Sequence, residues 1–190
     1  MRYLCLLISI CLLLTAIAAA GSFTADMDVD TYMDAENVSQ SFSESDLLWV
    51  ASQGGEPAKE VYLSIINHLG SQGIFDPEQI ESATLTIEAV HVDRPGEIVA
   101  YFLHGETLDG VTWSDKDDYD DSVSSEPVDI TEEKSYSIDV TDIIKGAIEA
   151  CADGCPYSVV LVAKDNASVA FASSESSDGE KPTLKYVSAE

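Results

Sequence analysis

The stretch Trp113–Ser122, WSDKDDYDDS, carries five aspartates within seven positions: Asp115, Asp117, Asp118, Asp120 and Asp121. Calcium takes six to eight oxygen ligands, often several carboxylates from one loop. This loop has the carboxylates but lacks the glycine and the closing glutamate of an EF-hand loop. A solvated turn is the first expectation, and a calcium site at these five residues the alternative. Tyr119 is the aromatic expected to face solvent and meet a ligand. Asp26, Asp28 and Asp30 alternate, which predicts one wet strand face.

Other catalytic patterns are absent. His68, His91 and His104 are scattered and read as surface or edge residues. No G-x-S-x-G elbow, phosphate-cradling glycine loop or H-E-x-x-H pair occurs. Carboxylate pairs could hydrolyse a glycoside, but among 35 acids such pairs arise by chance. The chain is read as non-catalytic, with no required cofactor beyond that calcium alternative.

The acids face only nine basic residues, a formal charge of −26. Such a chain is repelled by nucleic acid and by anionic lipid. It is nevertheless 45% apolar, with periodic apolar residues, so the acid is expected to coat a folded surface.

Residues 1–20 read as a secretory signal: Arg2, an apolar run at Leu4–Ile17, then AAA before Gly21. Residues 21–190 are expected to form a single domain, secreted and not inserted in membrane after cleavage. Cys151 and Cys155 would then meet an oxidising compartment. A local disulfide between them is expected first, worth roughly 2 kcal/mol on the chain-entropy model. An intermolecular bridge and free thiols are the alternatives. Asn37 and Asn166 begin glycosylation sequons in predicted loops.

The elements that must position these residues are strands. Alternation or β-branched runs predict them at 25–33, 47–51, 60–66, 82–92, 97–103, 136–140, 158–164, 169–173 and 183–188. Prolines between them support the boundaries. Ile143, Ile144, Ala147 and Ile148 fall at helical spacing, which predicts a short helix at about 141–151 with Thr141 as its cap. Trp49, in LLWVA, is expected in the core. The fold class is all-β: an antiparallel, jelly-roll-like β-sandwich with one short α-helix.

The order of segments resembles the DNRLRE, or disaggregatase-related, module. The matching pieces are DTYMDAENVSQSFSESDLLWVAS, KEVYLSI, IESATLTIEAV, GVTWSD, YSIDVTDIIKGAIEA and VAFASSESSDGEKPTLKYV. The arginine usual in the SRE element is Ser174 here, beside Glu175. Trp113 matches a core position of the family. The resemblance implies a jelly-roll sandwich in an extracellular setting, on polysaccharide-active enzymes or in surface proteins of methanogenic archaea. The first functional expectation is a self-associating structural subunit of an archaeal-type cell sheath, surface layer or matrix, partnered by copies of itself or other cell-surface proteins. The alternative is a secreted carbohydrate-binding or adhesion module whose partner is a polysaccharide.

Overall fold

The computed structural model describes residues 21–65, 69, 72–104, 110–150 and 157–189. The expected signal at 1–20, His68, and Cys151 and Cys155 with their expected disulfide lie outside the described residues.

Among the described residues, twelve strands form one curled antiparallel sheet: β1 (Ser22–Asp26), β2 (Val29–Asp34), β3 (Leu47–Gln53), β4 (Glu56–Ile65), β5 (Ile80–Arg94), β6 (Gly96–His104), β7 (Asp120–Ser124), β8 (Val128–Ile130), β9 (Ser135–Asp139), β10 (Tyr157–Ala163), β11 (Ser168–Ala172) and β12 (Thr183–Ser188). The order is β1-β12-β5-β11-β3-β4-β10-β6-β7, with β2 beside β4, β8 beside β6 and β9 beside β5. Helix α1 spans Thr141–Ala150. The all-β antiparallel sandwich and its short helix are as the sequence predicts.

Apolar residues from both halves of the curled sheet meet in one core. Leu85, Ile87, Phe171, Leu184 and Tyr186 come from one half, and Val61, Ile98, Ala100 and Leu161 from the other. The helix adds Ile143, Ile144, Ala147 and Ile148, the four residues at helical spacing. Thr141 ties it to the sheet: its hydroxyl accepts from the Ala83 N–H at 2.9 Å and donates to Asp139 Oδ1 at 2.6 Å. Burial of this apolar surface is the main stabilising term.

Two features differ from expectation. The segment read as one strand with a wet acidic face is two strands, β1 and β2. Asp26 and Asp28 are exposed, but Asp30 is only 2% exposed. The chain turns between the strands, so the period-2 alternation does not run through, and β2 lies against β4 with almost every residue buried. The acidic loop also runs into strand: Asp120 and Asp121 open β7, which pairs with β6.

The central stretches of β4, β6 and β10, residues 60–64, 98–103 and 158–163, are dry on both faces. Opposite the main core, register aligns Val99, Val162, Glu60 and Met33 in one row across β6, β10, β4 and β2. Tyr101, Val160, Tyr62 and Thr31 form the next row. All eight are buried. Ser64 and Ser158 pair in the row beyond, and neither buried hydroxyl has a partner among the described residues.

Phe171 is fully buried and Phe75 is 57% exposed. Phe171→Ala should cost about 3–5 kcal/mol. Phe75→Ala should stay within about 0.5 kcal/mol. Urea denaturation of the two variants checks both values.

Candidate functional site

The second dry face needs a cover, and the acidic loop supplies it. Residues 110–119 form a strap across the outer face of β4, β10 and β6. Gly110 begins it with φ +75°, a backbone conformation that suits glycine. Val111, Trp113 and Tyr119 pack against Met33, Tyr62, Val99, Tyr101, Leu103, Val160 and Val162. Trp113, Lys116 and Tyr119 are half-buried, whereas Asp115, Asp117, Asp118, Asp120 and Asp121 are all exposed. The loop is thus amphipathic, with every third residue inward and the aspartates outward.

A buried ion pair fastens the strap. Lys116 Nζ lies 2.7 Å from Glu60 Oε2, with side chains 14% and 2% exposed. The Tyr62 hydroxyl donates to the same oxygen at 2.8 Å. Burial, then the Glu60 charge, holds the Tyr62 hydroxyl well above the usual tyrosine range. A buried carboxylate is tolerable only with such partners. Lys116 Nζ also stands 4.6 Å from the Trp113 ring centre, a cation–π contact.

Tyr119 is not the freely exposed ring expected from sequence. It stacks on Tyr101, centres 4.7 Å apart, and burial followed by the Glu60 charge pushes its hydroxyl up to about 12. Lys164 Nζ completes the cluster, 2.8 Å from the Tyr101 hydroxyl and 5.1 Å from its ring centre. Two aromatic rings, Trp113 and Tyr119, are therefore backed by Lys116 and Tyr101 and stay half-exposed.

Two of the aspartates, Asp115 and Asp120, serve local turns. Asp115 Oδ1 accepts from the Thr112 N–H at 2.6 Å and the Thr112 hydroxyl at 2.7 Å. Asp120 Oδ1 accepts from the Ser122 N–H at 2.9 Å and its hydroxyl at 2.6 Å. These bonds, the hydroxyl's first, lower both carboxyl pKa values. Among the described residues no three His, Cys, Asp or Glu side chains gather as a group that could hold a metal ion.

Other expected residues lie apart. Trp49 is half-buried rather than in the core, because its row across β3, β11 and β5 continues to the exposed His91, whose ring lies 6.3 Å away. Lys59 lies over both Trp49 and Tyr32 at 5.6 Å and pairs with Asp34 at 3.3 Å. Asn37 and Asn166 are exposed; Asn37 Nδ2 donates to Asp34 at 3.0 Å and Asn166 Oδ1 accepts from the Gly54 N–H at 2.7 Å. A cavity of about 350 Å³ opens beside the start of α1. Glu81, Glu126, Asp139 and Asp142 line it with hydroxyls but no aromatic ring.

A family model described as carbohydrate-binding module family 96 matches residues 22–187, from the first residue of β1 to near the end of β12. It supports the carbohydrate-binding side of the resemblance and gives the disaggregatase-related name no support of its own. No curated protein matches the chain by sequence. No helix among the described residues is long and apolar enough to cross a membrane.

Lys116→Met strands the buried Glu60 charge. It should destabilise the protein by about 3 kcal/mol, the low end for a broken buried pair, since Tyr62 still donates to Glu60. Adding Glu60→Gln should recover much of that loss. Urea denaturation followed by tryptophan emission measures both.

Proposed function

The chain belongs to carbohydrate-binding module family 96, and from that premise we propose that it is a secreted, non-catalytic polysaccharide-binding module whose contact surface is the strap at residues 110–119. The observation that carries the choice of surface is the pair of half-exposed rings, Trp113 and Tyr119, each held from behind by Lys116 or Tyr101. A sugar ring presents a flat apolar C–H face, and a fixed aromatic ring meets it with little ordering cost. The surrounding aspartates accept hydrogen bonds from sugar hydroxyls. The charge of −26 favours a neutral polysaccharide, or an anionic one only where cations bridge it.

The cavity beside α1 lacks an aromatic platform, and its Thr141 and Ser125 hydroxyls already serve the backbone. The self-associating sheath subunit has no observation of its own behind it, and the family match favours its alternative.

Affinity electrophoresis against a panel of neutral and acidic polysaccharides tests the reading. At least one polymer should retard the protein. Trp113→Ala and Tyr119→Ala should each weaken that binding by about tenfold, the equivalent of one lost stacking contact of about 1.4 kcal/mol. Running the gels with calcium and with chelator asks whether Asp115–Asp121 contribute through a cation. A protein retarded by none of the panel, or equally by wild type and both folded variants, refutes the strap as the contact surface.

A further inference from the structure

A pair of carboxylates, Asp30 and the exposed Glu175, stands away from the strap. Asp30 lies on β2, buried, and faces the connection between β11 and β12. Ser174 in that connection donates its N–H to Asp30 Oδ2 at 2.7 Å. The Ser174 hydroxyl oxygen lies 3.1 Å from Asp30 Oδ1 and 2.9 Å from each carboxylate oxygen of Glu175. One hydroxyl hydrogen cannot serve two carboxylates. With both ionised, one of them would set its lone pairs against those of the hydroxyl oxygen. A proton on Asp30 Oδ1 resolves the conflict: Asp30 donates to Ser174 Oγ, and Ser174 donates to Glu175.

Among the described residues no ion pair reaches Asp30 or Glu175. The ion pairs among the described residues are Lys59–Asp34, Lys116–Glu60 and Lys134–Glu132. On β4, the residue opposite Asp30 is Leu63, while Glu60 and Tyr62 point to the strap side. Asp28 stands two residues back, in the turn before β2, and Asp34 is held by Lys59. Asp46, ahead of β3, meets the connection through its carbonyl, which accepts from the Ser173 N–H at 3.2 Å. Among the described residues the titratable neighbours of Asp30 named here are thus acidic, apart from a lysine already paired.

We propose that Asp30 holds a proton that it donates to the Ser174 hydroxyl, which in turn donates to Glu175, and that this proton pins the 173–182 connection to β2. Loss of the proton leaves two carboxylates facing the one hydroxyl hydrogen of Ser174, with only the Ser174 N–H still donating to Asp30, and loosens the connection, so the fold carries a pH-sensitive latch. Burial first, and the Glu175 charge after the opposing Ser174 N–H bond, raises the Asp30 carboxyl to about 6. A raised carboxyl binds its proton more tightly in the folded state. The stability it adds is full below the usual carboxylate value of 3.8 and is lost as pH rises through about 6.

Carbon-13 NMR of the side-chain carboxyls, on the full chain from about pH 4 to about pH 8, reads the proton directly. The Asp30 signal should titrate near 6 and be missing in Asp30→Asn, which keeps the shape of the protonated acid. The Ser174 amide should lose exchange protection through the same range in wild type but not in Asp30→Asn. An Asp30 signal that titrates in the ordinary carboxylate range overturns the proposal. So does Ser174 protection that stays flat in wild type. The wild-type titration decides the matter alone if the variant fails to fold.

Discussion

Burial of β4, β10 and β6 on both faces sets what the rest of the molecule must do. An antiparallel sheet can leave one face in water. Here the outer face carries Val99, Val160, Val162, Tyr101 and Leu103, too apolar to leave wet. It also carries Glu60, which has no place in a dry layer without a cation. The strap answers both demands. Trp113 and Tyr119 cover the apolar rows, and Lys116 meets Glu60. Because the pair is costly to bury, its value lies in register more than in net stability: only one seating of the strap brings Lys116 Nζ to Glu60 Oε2. That seating fixes the two rings.

The same economy governs the charges. In a protein with nine basic residues, Lys59, Lys116, Lys134 and Lys164 each lie over an aromatic ring. The acids lie outside, where water and salt screen them. The exceptions are buried and need special partners. Asp34 is held below its usual range: burial alone would raise it, but Asn37, the Glu36 N–H and Lys59 outweigh that. Glu60 has Lys116 and Tyr62. Among the described residues Asp30 has Ser174 and a second acid, and the proposed proton takes the part a cation plays at the other two.

Much of this was legible in the residues. Strand 183–188 and the start of α1 fall where period and β-branching put them. The core helix residues followed from spacing alone. The strap's role did not, because aspartates have low strand propensity and hid β7, and because the three-residue spacing of Trp113, Lys116 and Tyr119 lies in irregular backbone and matches neither the strand nor the helix period. A usable signal was present in SVVLVA of β10. A continuous apolar run, rather than an alternating one, marks a strand dry on both faces. It implied a second cover. Asp30 was misread because alternation was carried across the break between β1 and β2. Function was legible only as a pair of alternatives, since both used the same sandwich and differed in what touches its surface.

The most direct measurement is a backbone and indole NMR titration of the protein with soluble fragments of whichever polysaccharide retards it. The account predicts that the largest shifts fall on residues 110–119, on the Trp113 indole N–H and on Tyr101 behind Tyr119. Shifts gathered instead around Glu81, Glu126 and Asp142 beside α1, with the strap unmoved, would contradict it.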